Sequence, residues 1–153
     1  MDFPNRPGEP LDINQIPAEV IKGIGNVKPI KAYKSRDLML VFESEKDVAS
    51  IEPDFQEMIK YPDAVIVTAP ADNENLDFIS RFFCPYDMGI PEDPVTGSAH
   101  CTLTPYWADE LGKTTLKARQ ISERGGNLNL ELKNDRVFIS GQTKLYLKGE
   151  IYI

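Results

Sequence analysis

Asp93, Thr96, Gly97 and Ser98 fall in one short stretch of a 153-residue chain, and together they could hold and protonate a small anion. A carboxylate carries a proton, hydroxyls donate and accept hydrogen bonds, and a glycine lets a ligand approach bare backbone N–H groups. The surrounding run, Glu92-Asp93-Pro94-Val95-Thr96-Gly97-Ser98-Ala99-His100-Cys101, reads as a loop delivering a carboxylate to the start of a helix. Pro94 keeps Asp93 out of helical conformation. Thr96 is placed as N-cap, its hydroxyl serving one of the four N–H groups that a helix start leaves unpaired. Most helices set Asp or Glu in the first turn to complement the dipole, yet here the turn is Gly97, Ser98, Ala99, with no acid until Asp109. A carboxylate or phosphate fits such a start. The plain alternative is a turn before an ordinary helix, and a short motif alone does not separate the two.

Other residues are read against the same two possibilities. Arg81 lies in an apolar run and needs an anionic partner there, either a ligand or an acidic side chain of the chain itself. Gly125 and Gly126 let the backbone approach a ligand, or simply bend a hairpin. His100, the single histidine, reads as a packed helical side chain. Cys84 and Cys101 have no Cys-x-x-Cys spacing, so they read as buried thiols, with neither a zinc site nor a disulfide framework signalled.

The elements that must position these residues follow from periodicity and turn chemistry. Residues 1–10 hold three prolines and read as an extended edge piece. A short helix runs from Pro17 to a stop at Gly23 or Gly25, and residues 53–60 form a second with Phe55, Met58 and Ile59 on one face. Residues 27–35 and 37–43 form a hairpin about the polar corner Ser35-Arg36-Asp37, with Pro29 leaving the first strand a free side. Residues 64–69 are a strand buried on both faces, and 76–84 the next strand. The central helix ends at Leu111 with Gly112 as its stop, and Pro105 inside it predicts a kink or a restart. Its apolar residues spread over more than one face, which predicts a helix wrapped on most sides. Beyond it the chain reads as strands 116–122, 127–132, 136–140, 143–147 and 150–153. Strands about one buried helix make an α+β architecture in a single domain over 1–153.

Composition limits the partners. A net charge of −7 with no basic stripe argues against nucleic acid and anionic membranes. No run approaches the ~18 apolar residues of a membrane helix, and the N-terminus lacks a signal-type apolar segment, so a cytoplasmic location is expected.

Arg81-Phe82-Phe83 with Pro85, Gly89-Ile90, the stretch Glu92 to His100, Pro105-Tyr106-Trp107-Ala108, Gln120, Ser122 and Arg124-Gly125-Gly126 together resemble the phenazine-biosynthesis (PhzF-like) isomerase family. The order and spacing match over residues 61–150, and Met1-Asp2-Phe3-Pro4 also resembles a family segment. The resemblance implies a diaminopimelate-epimerase-like fold: two similar halves, each a mixed, barrel-like sheet wrapped around a central helix, with the active site between them. It implies cofactor-free proton-transfer isomerisation of a small carboxylated substrate. Asp93 and Ser98 fall at positions that contribute active-site groups, and Thr96, Gly97 and Ser98 supply donors at the helix start. Thr96 stands where the related epimerases carry a catalytic cysteine, and a threonine hydroxyl is too weak an acid for that role. Family members carry a preceding half with a general-base glutamate, and this chain corresponds to the second, C-terminal half. The expectation is therefore an isomerase unit needing a first-half chain or a second copy of itself. The alternative is a non-catalytic half that binds a small carboxylate or a partner chain.

Overall fold

A computed structural model describes residues 1–86 and 89–151. Nine strands form one mixed sheet in the order β1-β9-β8-β7-β6-β5-β4-β3-β2. They are β1 Asp2–Pro4, β2 Glu9–Leu11, β3 Lys31–Lys34, β4 Leu38–Val41, β5 Val65–Pro70, β6 Phe78–Phe83, β7 Thr115–Gln120, β8 Gly126–Lys133 and β9 Arg136–Ser140. The pairs β4–β5 and β6–β7 are parallel, and the others are antiparallel.

The period-2 alternation of strand side chains sorts the core into two layers. Met39, Ile66, Phe78, Phe82, Leu116, Ala118, Leu128, Leu130, Val137 and Ile139 face the helix α4, His100–Leu111, and pack on its Ala99, Leu103, Trp107 and Ala108. Their odd or even neighbours Leu38, Leu40, Phe42, Val65, Val67, Ile79 and Phe83 face the other way. Three short helices cover that second layer: α1 Ala18–Ile24, α2 Glu45–Ala49 and α3 Phe55–Met58. The strand β7 alternates exposed and buried residues, so this part of the outer face meets solvent.

The N-terminal segment accounts for the curl of the sheet. β1 and β2 sit at its two opposite edges, yet only residues 5–8 join them, a link that spans about 18 Å at most. The edges must therefore approach each other across α4, which gives the wrapped helix expected from sequence. The link also resolves the helical proline. Pro105 has no N–H for the carbonyl of Cys101, and that carbonyl instead accepts the Arg6 N–H at 2.9 Å. α4 accordingly runs unbroken from His100 to Leu111, with no restart at Pro105, and Gly112 ends it in left-handed conformation at φ 64°.

Several expectations are corrected. β3 has β2 on one side and β4 on the other, so Pro29 does not leave it a free side; the strand begins after that proline. Ile59 is exposed rather than on the packed face of α3. A further short helix, α2, lies outside the elements that periodicity predicts, and Ser44 and Asp47 form its capping box. Residues 143–147 and 150–151 form no strand, because the free edge of β9 is already filled by β1; residues 152–153 lie outside the described residues. Both cysteines are buried, and neither forms a disulfide among the described residues.

Candidate functional site

The loop that carries Asp93 is built against β6 and the end of β7. Glu92 bridges to Phe83, the Asp93 N–H donates to the Phe82 carbonyl at 3.0 Å, and the Cys84 N–H donates to Pro91. From the far side Arg81 grips Glu92 with two parallel bonds, Nε to Oε1 at 2.8 Å and Nη2 to Oε2 at 3.0 Å. Its Nη1 donates to the Ile51 carbonyl at 2.7 Å. Arg81 alternates with Phe82 along β6, so it lies on the face of the sheet away from α4. The internal ion pair, one of its two readings, is formed, and Arg81 is not brought beside Ser98.

Gln120 ties the loop from β7. It is fully buried, its Oε1 accepts the Thr96 N–H at 2.8 Å, and its Nε2 donates to the Asp93 carbonyl. The Ser122 hydroxyl donates to the Pro94 carbonyl at 2.8 Å and accepts the Gly125 N–H at 3.0 Å. Gly125 takes φ 66°, and a Cβ on Gly126 would stand 2.4 Å from Val95. The pair of glycines thus lets the β7–β8 turn close on the loop, and its nearest neighbour is Val95.

Thr96 is turned away from the helix. Its hydroxyl donates to Asp93 Oδ2 at 2.6 Å, so it does not act as the N-cap; Ala99 takes that position without a side-chain cap bond. The Thr96 carbonyl faces His100 Nδ1 at 2.8 Å. A carbonyl only accepts, so Nδ1 carries the proton of the neutral ring. Complete burial holds the imidazole neutral and lowers its pKa from 6.5 to about 4.

The following turn is open. The N–H groups of Gly97, Ser98 and Ala99 have no acceptor among the described residues, while the Ser98 hydroxyl accepts from Arg36 Nη2 at 3.0 Å. Buried Asp37 orients that guanidinium through Nε–Oδ1 at 3.0 Å and Nη2–Oδ2 at 2.7 Å. Beside Gly97 lie the ring of Phe3 and the end of Met1. Arg36 stands in the hairpin corner Ser35-Arg36-Asp37, and its separation of 62 positions from Ser98 leaves no sequence signal.

The structure therefore joins Asp93, Thr96, Gly97 and Ser98, adds Arg36, Gln120 and His100, and leaves Arg81, Gly125 and Gly126 in supporting positions. Asp93 is half-buried, with Oδ2 held by Thr96 and Oδ1 unbonded among the described residues. A carboxylate fixed at one oxygen and open at the other can move a proton. The open N–H groups and the Arg36 guanidinium can receive an anion. A cavity of about 560 Å³ lies on the outer flank of the loop, lined by Phe55, Pro91, Glu92, Pro94, Ser122, Glu123 and Arg124, and does not include the helix start. Among the described residues no group of three or more His, Cys, Asp or Glu could hold a metal ion, and no helix is long and apolar enough to cross a membrane.

Comparison with known proteins agrees with the resemblance. A family model described as phenazine biosynthesis-like protein matches residues 9–149. An uncharacterized isomerase of Pseudomonas aeruginosa is 40% identical over 154 residues, covering 100% of this chain and 57% of that protein. A phenazine biosynthesis-like domain-containing protein of Rattus norvegicus is 33% identical over 166 residues, covering 97% of this chain and 57% of its own length. The crystal structure of a phenazine biosynthesis protein of the PhzF family from Enterococcus faecalis superposes with a TM-score of 0.86 at 44% identity, again over 100% of this chain and 57% of that one. The chain thus spans a little over half the length of these relatives.

Proposed function

Because the chain belongs to the phenazine biosynthesis-like protein family, we propose that it is one unit of a cofactor-independent isomerase that moves a proton between two atoms of a small carboxylated substrate. The curled sheet about α4 supports reading the unit as a diaminopimelate-epimerase-like half. In this reading Asp93 is the proton carrier. Ser98 and the open N–H groups of Gly97, Ser98 and Ala99 bind the substrate carboxylate, with Arg36 beside them. Thr96 is a positioning residue, since its hydroxyl fixes one Asp93 oxygen. The observation that carries the reading is the pairing of a half-bonded carboxylate with an unfilled helix start.

Proton transfer between two atoms calls for an acid or base near each. Asp93 supplies one, and the second comes from another unit, either a separate first-half chain or a second copy. The relatives' greater length supports that division. The non-catalytic reading, a unit that only binds a carboxylate or a partner, competes with it.

Deuterium incorporation from D₂O into a panel of small dicarboxylates and aromatic carboxylates separates the readings. The panel is assayed with this chain alone and with the part of the Enterococcus faecalis relative that it does not match. Exchange is expected with the added unit, and Asp93→Asn is expected to reduce its rate at least about 100-fold, the usual contribution of a general acid or base. Exchange that survives Asp93→Asn would remove Asp93 from the mechanism, and no exchange under either condition would favour the binding role.

A further inference from the structure

Three buried polar side chains lie between β6 and α4 without a protein partner. Ser80, His100 and Thr104 are 2%, 0% and 0% exposed, and Ser80 Oγ, His100 Nε2 and Thr104 Oγ1 make no hydrogen bond among the described residues. Buried polar atoms are nearly always bonded, either to protein or to ordered water.

Their positions bring these atoms together. Side chains alternate along β6, and Ser80 stands between Phe78 and Phe82 on the face turned to α4. Its cross-strand neighbours are Thr68 on β5 and Gln120 on β7, so Thr68, Ser80 and Gln120 form one polar row across three strands. Above that row, His100, Thr104 and Trp107 fall on one face of α4, spaced four and three residues apart. The two rows are tied at both ends. At one, Trp107 Nε1 donates to Thr68 Oγ1 at 3.0 Å, and Thr68 Oγ1 donates to the Ile79 carbonyl at 2.6 Å. At the other, Gln120 holds the Thr96 N–H, and the Thr96 carbonyl accepts from His100 Nδ1. Ser80 and Thr104, the middle members, face each other between these ties. The ring of Phe78, stacked on Trp107 at 5.4 Å and lying 6.1 Å from His100, walls the interval with apolar surface.

The count of protons defines what fits there. Nδ1 carries the ring proton, so Nε2 only accepts, while each hydroxyl has a proton to give. A metal cation would find one nitrogen and two neutral hydroxyls, with no carboxylate or thiolate among them. A water gives one proton to Nε2 and offers two lone pairs to the hydroxyls, which makes about three bonds, the usual number for a buried water.

We propose that one internal water occupies this interval, donating to His100 Nε2 and accepting from Ser80 Oγ and Thr104 Oγ1, and that it makes His100 a positioning residue for Asp93. The water holds the far nitrogen of the ring, the near nitrogen holds the Thr96 carbonyl, and the Thr96 hydroxyl fixes Asp93 Oδ2. The positioning role rests on the reading of Asp93 as proton carrier; the water itself does not.

The test begins with the chain alone. Long-range proton–nitrogen spectra are expected to show the His100 ring neutral and protonated at Nδ1, and water-selective NOE spectra a long-lived water beside that ring and the Thr104 methyl. Thr104→Val keeps the shape of the side chain and removes its hydroxyl. Combined with Ser80→Ala it is expected to erase the water signal, while Thr104→Ser retains it. Melting curves verify the fold of each variant, and the unaltered chain decides the presence of the water by itself. A dry interval, a hydroxyl bonded straight to Nε2, or a signal that survives the double variant overturns the water site. Deuterium incorporation with the unmatched portion of the Enterococcus faecalis relative then reads the positioning role. Thr104→Val is expected to lower kcat about tenfold with KM unchanged, because Asp93 loses its aim while the N–H groups of Gly97, Ser98 and Ala99 keep theirs. Thr104→Ser is expected to restore kcat. Full kcat in Thr104→Val overturns the positioning role. A water seen without exchange into any carboxylate leaves the site standing and removes the positioning role together with the isomerase reading.

Discussion

Two helices of this chain begin in opposite ways. At α2 every device for closing a helix start is present. Ser44 Oγ accepts the Asp47 N–H at 3.2 Å, Asp47 Oδ2 accepts the Ser44 N–H at 3.1 Å, and Glu45 and Asp47 set negative charge against the dipole. At α4 there is no cap bond and no acid in the first turn, and the hydroxyl expected to cap, Thr96, is spent on Asp93. The contrast shows that the open start is a product of the loop before it. Gln120, Ser122 and His100 tie down residues 93–96 so completely that Thr96 cannot swing back to serve the helix.

That account can be broken at its strongest tie. Gln120→Leu leaves the Thr96 N–H and the Asp93 carbonyl buried without partners and is expected to cost about 4 kcal/mol in urea unfolding. A loss near zero would mean that the loop is held elsewhere. The seam at His100 is tested by pH. Its folded pKa of about 4 lies below the ordinary 6.5, so the unfolded chain takes up the proton first, and its contribution is intact above pH 6.5. Between pH 6.5 and 4 the protein should lose about 3 kcal/mol more stability than His100→Gln, measured as the difference between their denaturation curves. Equal curves would show that the ring titrates without resistance.

Two smaller changes sharpen the contrast between the helix starts. Ser44→Ala, which opens α2, should cost about 1 kcal/mol and leave any carboxylate-induced rise in melting temperature untouched. Ser98→Asp does the reverse, closing α4 with an acid beside Arg36. It should gain about 0.5 kcal/mol in thermal unfolding while abolishing the carboxylate response. If Ser98→Asp destabilises the chain, the α4 start is not short of negative charge.

Sequence made the frame of this site legible where the signal was local. The left-handed stop at Gly112, the doubly buried strand β5 and the carboxylate loop before α4 all follow from residue types within a few positions. What stayed hidden depends on chain segments meeting from afar. Nothing near Arg36 marks it as the neighbour of Ser98, and nothing near Gln120 says that its amide clasps two loop groups. Residues 143–147 failed differently: their alternation has the pattern of a strand, but they form none, since pairing needs a free edge and β1 occupies the one beside β9. The capping box of α2 is also a local signal, written in Ser44 and Asp47. Arg81 shows the limit of residue type alone, since an arginine in an apolar run fits a ligand or an internal carboxylate equally until Glu92 is placed.

The pairing of β1 with β9 also dictates an order of events during synthesis. Met1 is made before its partner Ile139, which lies 138 positions downstream. β1 must wait, unpaired, until β9 has been made, and contacts of such sequence separation form late and slowly. The clasp that brings the sheet edges together around α4 is then a late closure, and the Cys101 carbonyl freed by Pro105 stays without its Arg6 partner until that moment.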